Sequence, residues 1–138
     1  MAAAYAIYHG PEGLRTIALR MHRTAAALAA GLKALGFAIA DAPFFDTLRV
    51  PAKAEECRRI LAAAAEAGIN LRRLDNETLG IALDETTGVA DLAGLLAIFA
   101  DGKPFPGAGE LLAHAEANFP AELRRSSEFL AEDVFNRY

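Results

Sequence analysis

From Leu14 to Leu35 the apolar positions fall at steps of three and four residues: Leu14, Ala18, Met21, Ala25, Leu28, Leu32 and Leu35. That spacing puts them on one face of a helix of about six turns, roughly 35 Å long. Arg15, Arg20, Arg23 and Lys33 lie largely off the stripe, and Gly36 is placed to close the helix in the left-handed conformation. Residues 1–8 predict a short helix, or the end of a longer one, interrupted at "HGPEGL". There Gly10 breaks the run and Pro11 suits a first helical position.

Downstream, "FAIA" (37–40) predicts a short strand, followed by a turn at Asp41, Ala42 and Pro43 and a second strand at "FFDTLRV" (44–50), with Pro51 at its end. A helix over 53–67 buries Cys57, Ile60, Leu61 and Ala64, and Gly68 closes it. "INLRRL" (69–74) and "TLGIAL" (78–83) predict two strands joined by "DNE". In the second, Leu79, Ile81 and Leu83 alternate with Gly80 and Ala82, and the small residues leave room for a close neighbour. Val89, Leu92, Leu96 and Phe99 mark another helix, with Thr86 or Thr87 to cap it, Asp91 in its early turns and Gly102 after it. "KPFPGAG" is a loop, and a last helix over 109–117 precedes Pro120.

Each helix carries one apolar stripe, and a sheet of about four strands needs one face covered. The economical solution is an α+β fold of two layers, a small mixed or antiparallel sheet with helices packed on one face.

Composition narrows the functional classes. At 138 residues with 54% hydrophobic side chains the chain can bury a core, and its net charge of −4 comes with no basic cluster beyond pairs. A nucleic-acid partner needs a concentrated basic face, so none is expected. No apolar run approaches the roughly 18 residues that span a bilayer, and the start lacks the basic segment and cleavage pattern of a signal peptide. The single cysteine excludes an internal disulfide and fits a reducing compartment. The two ends, "MAAAYAIYHG" and "FLAEDVFNRY", are unusually apolar, which predicts that both are seams with a longer polypeptide.

The search for chemistry returns no complete set. His9, His22 and His114 are far apart with no second ligand at a metal-binding step, so no metal is expected. Cys57 falls on a buried helix face, where a thiol stays protonated. Ser126 and Ser127 stand beside no evident base, and neither Gly10–Gly13 nor Gly102–Gly109 has phosphate-loop spacing. Asp46, Asp84 and Glu85 lie near strand ends, where turn and helix-capping roles outweigh acid–base catalysis. Arg72 or Arg73 could hold a carboxylate or phosphate. With Asp84 they would form the site of the alternative reading, a free-standing ligand-binding or regulatory module.

The strings "MAAAYAIYHGPEGLRTIALRMHRTAAALAAGLKALG", "FFDTLRV", "NLRRLDNETLGIALDETT", "LLAIFADGK" and "RRSSEFLAEDVFNRY" closely resemble the middle of the glycine-cleavage-system P-protein family, the decarboxylating glycine dehydrogenases. The resemblance covers essentially the whole chain. It implies a pyridoxal 5′-phosphate enzyme that decarboxylates glycine and passes the aminomethyl group to the lipoyl arm of H-protein. It also implies a fold like the small carboxyl-terminal domain of fold-type-I enzymes. Residues 1–10 would end a large-domain helix, 11–118 would be the small domain of the amino-terminal half, and 119–138 would be a linker and the start of the catalytic half.

The family's cofactor lysine lies downstream of this segment, and Lys33, Lys53 and Lys103 sit in no His-Lys motif. The nearest matches to family strings are His9, Gly10 and Pro11, then Asp46 and Thr47, then Asp84 to Thr87. None is assigned a catalytic, cofactor-binding or metal-binding role. The resemblance implies an inactive structural piece without bound cofactor, partnered by the rest of the P-protein and prone to self-association, with exchanged terminal segments as one route. It further implies a cytoplasmic protein if the source is bacterial and a mitochondrial one if it is eukaryotic.

Overall fold

The structure, a computed structural model, describes residues 1–40, 42–117 and 119–137. Asp41 of the expected turn, Asn118 at the expected domain boundary and Tyr138 lie outside the described residues. Helix α1 runs from Ala2 to Ala34 and carries a break at Gly10 (φ 61°, ψ 180°), immediately before Pro11. The expected interruption is therefore a kink inside one long helix. Only glycine adopts that backbone conformation readily, and Pro11 restarts the helix where its missing N–H costs nothing.

The stripe of α1 divides in two. Ala25, Leu28 and Leu32 are buried, whereas Leu14, Ala18 and Met21 are half-buried. Gly36 closes the helix with φ 93°; its N–H donates to the Lys33 carbonyl and that of Phe37 to Leu32, both at 3.0 Å. The same double bond ends α2 (Ala54–Glu66), where Gly68 (φ 72°) donates to Ala65 and Ile69 to Ala64.

The sheet has three antiparallel strands, one fewer than expected, in the order β1 (Thr47–Pro51), β3 (Thr78–Ala82), β2 (Arg72–Arg73). Leu48 pairs with Ile81 and Val50 with Leu79, and all four are buried, whereas Thr47, Arg49 and Pro51 are exposed. One face therefore meets the helices. "FAIA" is the missing strand. Ile39 is buried and Phe37 half-buried, but Ile39 N–H turns back to the Phe37 carbonyl (3.0 Å) instead of joining a ladder. Period-two burial here marks two side chains inserted into a core. The room at Gly80 is taken by its own hairpin: a Cβ there would lie 3.5 Å from Leu74 Cγ and from Arg72 Cβ.

Helix α3 (Val89–Ala100) buries Leu92, Leu95, Leu96 and Phe99, but Val89 is exposed, contrary to the stripe expected from spacing. Its cap is Gly88, whose N–H donates to Asp91 Oδ2 at 2.8 Å, and neither Thr86 nor Thr87 takes that place. Asp101 (φ 50°) and Gly102 (φ 78°) turn the chain out of the helix. Arg59 of α2 donates to the carbonyls of Ile98 (3.0 Å) and Phe99 (3.4 Å), satisfying acceptors that a helix end leaves open. Helix α4 covers Ala108–His114, shorter than the expected 109–117, and residues 119–137 form two single-turn 3₁₀ segments with no buried residue.

Candidate functional site

The principal concavity lies where the half-buried part of the α1 stripe is left uncovered by the sheet. Leu14, Ala18 and Leu19 form its floor, and residues 119–129 fold back along its side. Its volume is about 660 Å³. At one end His22, itself buried, donates from Nδ1 to the Phe45 carbonyl at 2.8 Å. Its ring stacks on Phe45 (5.7 Å, interplanar angle 2°) and meets Phe119 edge-on (5.5 Å, 84°). A buried imidazole must pair its polar atoms, and the carbonyl does so here. The histidine is thus a packing and hydrogen-bonding element of an aromatic cluster.

At the other end two guanidiniums lie over the Phe129 ring, Arg15 at 5.1 Å and Arg125 at 5.6 Å from its centroid. Arg15 also pairs with Glu12 one turn back. Arg124 donates from Nε to the Phe119 carbonyl at 2.8 Å, and Arg125 to Ser127 Oγ at 3.2 Å. Among the described residues no carboxylate pairs with Arg124 or Arg125.

The residues singled out from sequence are scattered and locally engaged. Asp84 Oδ1 accepts from Thr86 Oγ1 (2.7 Å), Thr86 N–H (2.9 Å) and Thr87 Oγ1 (3.3 Å). These bonds, the Thr86 hydroxyl foremost, hold its carboxyl below the usual carboxylate range. That is turn chemistry. Asp46 accepts from Thr47 Oγ1 at 2.8 Å, and Glu85 offers its backbone carbonyl to Arg20 at 2.7 Å. Arg73 reaches Asn76 and the Asp75 carbonyl within its own hairpin. The expected grouping of Arg72, Arg73 and Asp84 therefore finds its guanidinium and carboxylate each turned to neighbours two or three residues away.

Cys57 is buried, its Sγ 3.6 Å from the Ala52 carbonyl, and burial pushes the thiol up. His9 packs against Tyr5 and Tyr8 (4.3 and 4.9 Å), and His114 donates to the Glu110 carbonyl at 2.9 Å. Among the described residues no group of three or more histidine, cysteine or acidic side chains is placed to hold a metal, and no helix is long and apolar enough to cross a membrane. Sequence reasoning missed the groove. The available signal was Leu19, an apolar residue off the α1 stripe, together with Phe119 and Phe129 on either side of Pro120.

The fold and this site define a helix-backed antiparallel α+β domain whose polar side chains serve turns, caps and packing. Comparison with known proteins makes the assignment specific. Residues 1–99 match the family model of the glycine cleavage system P-protein, and the chain belongs to that family. It is 44% identical to the mitochondrial glycine dehydrogenase (decarboxylating) of Solanum tuberosum, 45% to the glycine dehydrogenase (decarboxylating) of Cupriavidus metallidurans and 46% to that of Synechocystis sp.. Each match covers 100% of this chain but only 13% or 14% of the relative. These relatives are oxidoreductases, in mitochondrial and bacterial forms, and the chain spans about a seventh of their length.

Proposed function

We propose that this chain is a structural domain of a pyridoxal-phosphate-dependent glycine decarboxylase and is inactive by itself. The whole enzyme decarboxylates glycine and transfers the aminomethyl group to the lipoyl arm of H-protein. The observation that carries the reading is the end-to-end match at 44–46% identity to so small a part of each relative. Within the chain, residues 1–10 end a large-domain helix, 11–118 form the small domain, and 119–138 lead into the catalytic half. The kink at Gly10 and the absence of buried residues from 119–137 agree with those divisions.

The residues present do not suit the cofactor. A lysine that bonds it needs a desolvated setting that lowers its pKa. Lys33 in the last turn of α1, Lys53 at the start of α2 and Lys103 after α3 are all exposed. Cofactor binding and chemistry therefore belong to other parts of the enzyme. The enzyme is cytoplasmic in a bacterium and mitochondrial in a eukaryote. The apolar side chains exposed at the two ends, Met1, Tyr5 and Tyr8 and then Val134, make the piece prone to self-association, with exchange of terminal segments as the route.

Pyridoxal phosphate mixed with the purified chain, followed by borohydride and mass spectrometry, tests the first claim. No stoichiometric adduct on a single lysine is expected, and such an adduct would refute it. Sedimentation velocity at tens of micromolar tests the second, which a clean monomer would refute.

A further inference from the structure

The groove on α1 has the character of a small-molecule site. Its volume of about 660 Å³ lies within the usual range for such sites, and its floor is apolar with a few convergent polar groups. Leu19 on the floor and Leu123 on the wall are 53% and 54% exposed in this chain. The charge on its wall has one sign. Arg124 is fixed through Nε to the Phe119 carbonyl, and among the described residues its terminal nitrogens meet no acceptor. Arg125 is held over Phe129 and bonds only Ser127 among the described residues. A guanidinium fixed at one nitrogen retains the forked donor pair that matches a carboxylate.

We propose that this groove binds an acyl carboxylate, its tail along Leu14, Ala18 and Leu19 and its head on Arg124 and Arg125. A neutral apolar molecule would make no use of the two exposed cations. A small hydrophilic anion would leave the floor wet. One molecule with both parts satisfies the groove as built, and a medium chain suits its size.

The test is calorimetric titration of the purified chain with octanoate, octylammonium and acetate. Octanoate is expected to bind saturably and about tenfold or more tighter than octylammonium, a difference of one charge-assisted contact. Acetate is expected to give no saturable heat. The double variant Arg124→Gln/Arg125→Gln should bring octanoate down to the affinity of octylammonium. Leu19→Glu, at an exposed position, should weaken octanoate about tenfold or more while the thermal unfolding midpoint stays near that of the parent. Equal binding of the two octyl probes to the parent chain, no saturable octanoate binding, or indifference to Leu19→Glu would each overturn the proposal. So would a dimer that Leu19→Glu dissociates and that binds no octanoate, because a second copy would then fill the groove.

Discussion

A Cβ built on Gly31 would lie 2.6 Å from Leu96 Cδ2 and 3.0 Å from Leu111 Cδ1. Gly31 is thus the point where α1, α3 and α4 meet at closest approach. Alanine there gains about 1 kcal/mol of helix propensity. Overpacking a filled core costs about 1–3 kcal/mol, and Leu96, whose methyl group would have to move, is fully buried. Gly31→Ala should therefore lower stability by about 1 kcal/mol in urea unfolding, and Gly31→Ala/Leu96→Ala should lose less than the sum of its parts.

Arg59 is the second joint. It links α2 to the end of α3 through the Ile98 and Phe99 carbonyls, and its contact to Asp101 at 3.4 Å is largely solvated. Loss of those charge-assisted bonds in Arg59→Ala should cost about 1.5–3 kcal/mol. The loss should depend weakly on salt, since the carbonyls and not the exposed carboxylate are the main partners. Urea titrations at low and high salt check both statements.

Asp75 and Asp84 set the acid limit. Asp75 is held low mainly by the Glu77 N–H (2.8 Å), and Asp84 mainly by the Thr86 hydroxyl. A carboxyl with a depressed folded pKa adds stability above its unfolded value, about 3.9, and that stability is lost as pH falls through the folded value. Thermal midpoints should therefore fall below about pH 4, and Asp75→Asn/Asp84→Asn should flatten that fall by lowering the midpoint near neutrality while leaving it little changed in acid.

The buried thiol reports on global opening. Because burial raises the Cys57 pKa, the folded chain should react with a disulfide reagent at pH 8 only as fast as it opens. Labelling should accelerate with urea in step with unfolding.

Gly10 is the last test. A Cβ there would meet the Phe135 carbonyl oxygen at 3.0 Å, on a backbone conformation that side chains avoid. Gly10→Ala should cost about 1–3 kcal/mol locally. It should also free residues 129–137 to proteolysis while the core around Leu28 keeps its hydrogen-exchange protection.

Helix stripes and their glycine stops were legible because their determinants are local. Gly36 and Gly68 sit where the sequence put the stops, and Cys57 and Ile60 are buried as spacing required. The misreadings came from positions whose state is decided elsewhere in the chain. Phe37 and Ile39 alternate like a strand, but no edge reaches them; Val89 has helical spacing, but no element covers it. Thr86 and Thr87 have capping chemistry, yet Asp84 takes their hydroxyls first. The groove was illegible for a similar reason: it joins Leu14 to Phe129, more than a hundred positions on, and no local pattern carries that pairing.

The shared central strand has a consequence for synthesis. Within the sheet β1 and β2 pair only with β3, and Gly31 meets its partners Leu96 and Leu111 later still. A nascent chain leaving the ribosome therefore displays the oily side of its first helix until Ala82 completes the sheet and α3 and α4 follow. Shielding in that interval must come from something other than the finished fold.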